Sequence, residues 1–506
     1  MKYSVITFGC RVNQADSLGI EEELLARGAS AVRPYEADLV VVNTCSVTAS
    51  ADQGARQTIR RIARANPSAR IVVTGCYATR RPEEVADLPN VVRVVPNGDK
   101  PLVWGLGARG SELAWLDAAD VAPDFGPPSS VFDAARVLSP AGPGRAGAVD
   151  VADVVRDFSP AGRSGPDQTT AVRFGDGEGS CGASIEPGVA GRTAFTLRVQ
   201  TGCAEPCSYC IIPTTRGAPR SVPVADVLRE VERVVAAGFK EIALTGVHLG
   251  SYGRDLTPPS ALVDLLRALS TFLMARGAPP PLAEDLALER RLPGSGEGCD
   301  CPSPPPLFRI SSLEPMDCTR EVVSLVAAHD CFAPHFHLPL QHASNRVLAA
   351  MRRPYTIEQY AALVDDIRRR IPHAAIGSDV IVGFPGETDG DFDELATYLE
   401  RSPLTHVHVF PYSDRPGTAA SVMSGKVPGA VVRERARRVR AISDGLACRF
   451  RDGQVGTVHR GLTLEDGSLV VTGNYLKLRI PPGRARNEWV RVKVLRDGNT
   501  LTGEIE

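Results

Sequence analysis

Three apolar, β-branched runs in the first hundred residues, "YSVITFGC", "ADLVVVNTC" and "ARIVVTGC", each stop at a cysteine: Cys10, Cys45 and Cys76. Stretches with helical periodicity lie between them, so the order is strand, helix, strand, helix, strand. That alternation calls for a parallel sheet covered on both faces, with ligands beyond the carboxyl ends of its strands. Parallel strands deliver their last residues to one edge. The three thiols are therefore expected to converge, although they are far apart in sequence. Each alone would pass for a small buried hydrophobe, but three at equivalent strand ends point to a shared site.

A chain of 506 residues exceeds one ordinary core, at roughly 150 residues per domain. The first division is expected at residues 1–97. From 98 to 191 the sequence is rich in Pro, Gly, Ala and Ser without sustained periodicity, and reads as insertion or linker. Between 192 and 430 six strand-like runs recur, "TLRVQTG", "EIALTGV", "LFRISSL", "HFHLPL", "AAIGSDVIVGF" and "HVHVFPYS", most of them separated by helical segments. This predicts a barrel or partial barrel of the β/α type, with chemistry at the carboxyl ends of its strands. A second irregular stretch, 272–306, interrupts it and carries Cys299 and Cys301, a Cys-x-Cys pair in a Pro/Gly-rich loop. Residues 431–506 open on a helix and continue as short alternating runs broken by Gly and Pro, as in a small all-β barrel. The fold class is thus α/β with an all-β appendix.

No apolar run approaches the ~20 residues of a membrane span, and the N-terminus "MKYSVITFGC" lacks the pattern of a secretory signal. A cytoplasmic protein is expected. Thiols stay reduced in that compartment, so twelve cysteines read as metal ligands or reactive groups rather than disulfides. Cys203, Cys207 and Cys210 in "CAEPCSYC" follow directly on the first barrel strand, at the expected catalytic mouth. A structural zinc wants four protein ligands, and no His or Cys follows Cys210 until His248. A cubane cluster held by three cysteines keeps one iron open instead, and that iron would be reactive.

Cys-x3-Cys-x2-Cys with Tyr209 before the last cysteine resembles the cluster motif of radical S-adenosylmethionine (SAM) enzymes. With the N-terminal thiols, the barrel and the β tail in that order, the chain resembles the radical SAM methylthiotransferases over nearly all its length outside the two irregular stretches. "GCRVNQADS", "VVNTCSVT", "VVTGCYA", "LTGVHLGSYG", "RISSLEP", "HLPLQHAS", "MRRPY", "SDVIVGFPGET" and "NYLKLRIP" are similar to that family's signatures. "GCRVNQ" and "GVHLGSYG" look most like the branch acting on N6-threonylcarbamoyladenosine at tRNA position 37.

The resemblance implies a [4Fe-4S] cluster on Cys203, Cys207 and Cys210, whose open iron takes the amino and carboxylate groups of SAM. It implies an auxiliary [4Fe-4S] cluster on Cys10, Cys45 and Cys76, on which sulfur is carried and methylated. By the same resemblance two SAM molecules would be used per turnover, one as methyl source and one as radical source, and the radical would abstract hydrogen from carbon 2 of the adenine. A ring carbon–hydrogen bond offers no acidic proton to a general base, so a cofactor must supply the radical. Implied partners are a tRNA anticodon loop, an electron donor such as flavodoxin or ferredoxin, and a sulfur donor, with no membrane.

Weaker signals complete the candidate site. Tyr209, Gly246, Glu314 and Asp379 are candidate SAM contacts, and no catalytic residue beyond the cluster ligands is singled out. "GFPGET" lacks the Lys-Ser/Thr ending of a P-loop. His335, His337 and His342 surround the fourth strand, where structural roles compete with ligation. The tail carries 15 Lys plus Arg against 9 Asp plus Glu from Val431 on, resembles a TRAM domain, and suits a phosphate backbone. Arg56, Arg60 and Arg64 recur on one face of a predicted helix. Rival readings are the same chemistry on isopentenyladenosine or on a ribosomal-protein aspartate, and a zinc-stabilised RNA-binding protein without catalysis.

Overall fold

The computed structural model describes residues 1–100, 193–275, 304–498 and 500–506, with two short strands at Gly175–Asp176 and Gly179–Ser180. Cys181, Cys299, Cys301 and most of the two irregular stretches lie outside the described residues.

The N-terminal runs form a five-stranded, wholly parallel sheet. Its strands are β1 (Lys2–Thr7), β2 (Ser30–Ala31), β3 (Leu39–Thr44), β4 (Arg70–Gly75) and β5 (Val91–Val95), in the order β2-β1-β3-β4-β5. β3 is buried along its whole length, "LVVVNT", as a central strand covered on both faces must be. Helix α1 (Arg11–Ala26) follows β1, and α2 (Ala49–Ala65) follows β3 with Thr48 capping its first turn.

The central region forms an arc of six parallel strands: β6 (Ala194–Arg198), β7 (Glu241–Thr245), β8 (Leu307–Ile310), β9 (His335–His337), β10 (Ala375–Val382) and β11 (His406–Pro411). They lie in sequence order, with bridges Phe308 to Phe332 and Ser312 to His337 joining the two three-stranded halves. Among the described residues no ladder joins β11 to β6, so the arc is open on that side. Alternate positions such as Phe195, Leu197, Ile242, Leu244, Phe308, Phe336, Ile376 and Val407 pack outward into the main core. The intervening residues, Arg198, Arg309, His335, His337, Asp379, His406 and His408, therefore point into the lumen.

A long helix, Gly429–Asp452, leads to a closed five-stranded antiparallel-rich barrel with strands at Val458–Leu464, Leu469–Thr472, Lys477–Arg479, Trp489–Asp497 and Thr500–Ile505. This barrel seats on residues just ahead of the arc's strands. Asn487 donates to the Gly238 carbonyl at 3.1 Å, Asn474 to His373 at 2.8 Å, and Arg460 to Pro305 at 2.5 Å. It therefore caps the amino end of the arc.

The N-terminal sheet covers the open side. Asp16 of α1 meets Arg198 at the end of β6 and Arg216 beyond it. Asp52 of α2 meets Arg415, beyond β11, at 3.0 Å, and Ala49 N–H donates to the Ser413 hydroxyl at 3.3 Å. One domain thus holds both edges of the gap. Among the described residues no helix is long and apolar enough to cross a membrane.

Candidate functional site

Cys10 begins the turn into α1, Cys45 follows β3 directly, and Cys76 starts the short helix after β4. The sheet thus brings the three to its carboxyl edge. Gly9 has φ +97°, and a Cβ on it would fall 2.7 Å from the Cys45 sulfur, so only glycine admits that thiol. Gly75, also at φ +97°, would place a Cβ 2.2 Å from the Thr44 carbonyl oxygen. Asn13 locks the edge by donating to the Phe8 and Thr44 carbonyls at 2.7 and 3.0 Å. Burial pushes the Cys45 thiol up to about 12, and the neighbouring Cys76 and Cys10 add to the rise. The metal-free thiol is therefore protonated at neutral pH, and a bound metal group must displace that proton.

The second set lies on the loop after β6. The Cys210 N–H donates to the Cys207 carbonyl at 3.2 Å, and the Glu205 N–H points at the Cys203 sulfur at 3.4 Å. Burial raises Cys203 to about 11 and Cys210 to about 12, with Cys207 adding to the first and both Cys207 and Cys203 to the second. Arg353 places Nη1 3.0 Å from the Cys207 sulfur and pairs with Glu314 through its other terminal nitrogen. A guanidinium and backbone N–H groups aimed at sulfur suit an anionic, thiolate-held group. Among the described residues no three His, Cys, Asp or Glu side chains are drawn together as ligands of a single ion. The donor chemistry of both sets, three thiols with no further Cys or His grouped beside them among the described residues, suits a cluster with one open iron.

The two sets are joined through a few side chains. Asn97 stands 3.6 Å from the Cys76 sulfur and donates to the carbonyl of Thr215, five residues beyond Cys210, at 2.9 Å. Next to it Arg216, buried, bonds Asn13 and lies 3.4 Å from Asp16. Burial would lower its pKa, but Cys76, Asp16 and Cys10 outweigh that and raise it. Asp16 is shared by Lys100 at 3.1 Å, Arg198 and Arg216. Burial alone would raise its pKa, yet the three cations hold it well below the usual carboxylate range.

Of the other residues named from sequence, Glu314 stands beside the cysteine loop through Arg353. Tyr209 packs half-buried against the cluster of Val347, Met351 and Phe384. Gly246 sits where a side chain would lie 2.8 Å from Leu249 and 2.9 Å from the Gln200 amide oxygen. Asp379 faces the lumen and meets His337 at 3.1 Å. The three histidines separate: His335 and His337 line the lumen, whereas His342 is buried 3.8 Å from Glu387 and accepts the Ser344 N–H at 3.0 Å. The basic face of α2 is partly spent, since Arg56 pairs with Glu84 at 2.9 Å while Arg60 and Arg64 stay exposed. The run "RERARRVR" is also largely paired: Arg435 meets Glu387 at 2.5 Å and Asp389 at 2.6 Å. The residues the sequence did not single out are Arg11, Arg216, Arg353, His406, His408 and Tyr475. "MRRPY" and "NYLKLRIP" contain two of them, but only the fold shows that both enter the lumen or its rim.

Residues 2–96 match a family model described as "Uncharacterized protein family UPF0004", and residues 197–399 match the "Radical SAM superfamily". Among curated proteins, the threonylcarbamoyladenosine tRNA methylthiotransferase MtaB of Aquifex aeolicus is 31% identical over 495 residues, covering 98% of this chain and all of its own. The ribosomal protein uS12 methylthiotransferase RimO of Saccharopolyspora erythraea is 32% identical over 93% of this chain and 86% of its own. Among solved structures, the radical SAM methyltransferase TsrM of Kitasatospora setae shares the fold, with a TM-score of 0.52 at 17% identity over 83% of this chain and 73% of its own.

Proposed function

Because this chain belongs to the radical SAM methylthiotransferase family, we propose that it replaces the hydrogen on carbon 2 of N6-threonylcarbamoyladenosine, at position 37 of tRNA, with a methylthio group. The end-to-end match to MtaB, across the whole of that protein, is the observation that carries the substrate. The family makes the chain an enzyme that uses SAM and a [4Fe-4S] cluster, which removes the zinc-stabilised, non-catalytic reading.

In this reading Cys203, Cys207 and Cys210 would hold the SAM-binding cluster, and Cys10, Cys45 and Cys76 a second one. The first cluster, bound with SAM, supplies the radical that an aromatic carbon–hydrogen bond requires. The chain's own residues do the rest. Arg353 holds the Cys207 sulfur and orients Glu314 beside it. Tyr209, Gly246, Glu314 and Asp379 would serve to bind SAM. With the N-terminal sheet over the open side of the arc, the second thiol set would face the lumen, and the β barrel on the amino end would keep water from below. The tRNA offers its anticodon loop, where bases are splayed at little cost, and exposed basic residues of the β barrel such as Arg484 and Arg491 would meet its phosphates. A flavodoxin- or ferredoxin-like donor supplies electrons, and a separate donor the sulfur, in the cytoplasm.

RimO's comparable identity favours a second reading, modification of a ribosomal-protein aspartate. Nucleoside mass spectrometry of tRNA from a strain lacking this gene separates the two. Loss of methylthio-threonylcarbamoyladenosine, restored by the wild-type gene, supports the proposal; an unchanged level of that nucleoside sinks it.

A further inference from the structure

The cations around the lumen are nearly all matched to acids. Arg309 is fully buried and gives Nε to Glu241 at 2.7 Å and Nη1 to the Gly473 carbonyl at 2.6 Å. Arg353 is held by Glu314, Arg198 and Arg216 by Asp16, and Arg415 by Asp52. Arg11 differs. It is half-buried, and among the described residues its partner is no acid but the Tyr475 hydroxyl, 2.6 Å from Nη2.

Tyr475 locates that guanidinium. It stands at the tip of the hairpin between Leu469–Thr472 and Lys477–Arg479, with φ +63°. Such a conformation in a bulky residue persists only where the surroundings enforce it. Its ring covers Arg309, 3.8 Å from Cζ, and lies 4.7 Å from the His335 ring, both on the lumen face of the arc. Arg11 follows Cys10 directly, so its Cα lies about 3.8 Å from that of a thiol-bearing residue, yet its tip reaches the lumen floor. The buried lumen histidines offer no charge in its place. Burial lowers His335 far below its ordinary value and His406 to about 4, so both are neutral at pH 7.

We propose that Arg11 is the specificity-determining residue of this site, binding through its guanidinium the free carboxylate carried on the N6 substituent of the substrate adenine. The inference rests on the threonylcarbamoyladenosine reading. Carbon 2 of the base must face the thiols for the methylthio group to arrive, which turns the N6 substituent away from them and across the lumen. Arg11 spans that same interval, from the thiol edge to the floor. A planar fork of donors matches a carboxylate two-to-two. An isopentenyl group would leave the guanidinium desolvated with no anion against it, the situation in which a polar site rejects an apolar analogue. Tyr475 is a positioning residue, since its hydroxyl holds Nη2 in place.

The test uses the full chain, reconstituted without oxygen, on anticodon stem-loop RNAs bearing threonylcarbamoyladenosine, its carboxyl methyl ester, or isopentenyladenosine. Wild type is expected to favour the free acid over the ester by about 10- to 100-fold in kcat/KM, the worth of a hydrogen bond to a charged group. Arg11→Gln is expected to lose that preference, Arg11→Lys to keep part of it, and Tyr475→Phe to raise KM for the acid more than it lowers kcat. Iron content is measured on each variant; if Arg11→Gln loses its iron, a reduced acid-over-ester preference in Arg11→Lys decides. Full preference in Arg11→Gln, or in Arg11→Lys where that variant decides, overturns the inference and leaves the functional reading standing. Wild-type turnover of the isopentenyladenosine RNA alone overturns both.

Discussion

Asp16→Asn removes a buried carboxylate that ties the N-terminal domain to the first edge of the arc. Asp16 is fully buried and faces Lys100, Arg198 and Arg216, contributed by three separate segments. The amide keeps the shape but presents a neutral group, and its NH2 turns donors toward donors. Breaking a buried ion pair by removing one partner costs about 3–5 kcal/mol, because the remaining charges stay desolvated. The cost falls on the contact between α1 and the segment after Cys210 rather than on the whole chain, so a single unfolding midpoint is the wrong readout. Hydrogen exchange suits it. Amides of α1 in the metal-free variant should open with a free energy lower by about 3–5 kcal/mol, while those of the C-terminal barrel stay as in wild type. The pH dependence has a definite sign. A carboxyl whose folded pKa is depressed contributes stability that is complete above its ordinary value near 4 and fades as pH falls toward the folded value. The gap between variant and wild type should therefore be flat from about pH 6 to 8 and shrink only below about pH 4. Thiolates bound to a cluster at Cys10, Cys45 and Cys76 would add negative charge near Arg216, so the reconstituted variant should lose less than the metal-free one. Exchange of α1 within about 0.5 kcal/mol of wild type would refute the idea that this network docks the domain.

The two thiol sets should separate by function. Cys207→Ala is expected to abolish reductive cleavage of SAM, whereas Cys45→Ala leaves cleavage largely intact and stops sulfur insertion; equal loss of cleavage in two folded variants argues against the division. Arg353→Gln takes a donor from the Cys207 sulfur and the partner from Glu314. Cleavage of SAM should fall about 10- to 100-fold, the usual cost of losing a group that supports a metal ligand, and cleavage at the wild-type rate would show that Arg353 serves only packing.

Much of this architecture was legible because it rests on periodicity. "LVVVNT" reads as a buried central strand and is one. The runs ending at Cys10, Cys45 and Cys76 reach one edge because parallel strands have no alternative. The spacing of Cys203, Cys207 and Cys210 is local, and needs only a short loop. What stayed hidden depends on contacts distant in sequence. Arg11 and Tyr475 are 464 residues apart and meet only because the β barrel caps one end of the arc while the N-terminal sheet covers its side. Charge counting cannot show that Arg435 of "RERARRVR" is paired with Glu387, in the loop before the Asp389–Arg401 helix, and with Asp389 at its start. The pattern "HVHV" likewise shows a strand but not that His406 and His408 share the lumen with His337, their rings 5.3 and 6.0 Å apart in the pairs His406–His408 and His337–His408.

Transfer of a methylthio group to carbon 2 of threonylcarbamoyladenosine is the activity we propose for this chain. The most direct measurement incubates the reconstituted chain, SAM, a reductant and a sulfide source with tRNA that carries this nucleoside, and reads the digested nucleosides by mass spectrometry. The expected product is heavier by one methylthio group in place of one hydrogen, and is absent when Cys45 or Cys207 is alanine. Methionine and deoxyadenosine formed with no such product, while isopentenyladenosine tRNA or a ribosomal-protein peptide is modified under the same conditions, would contradict the proposal.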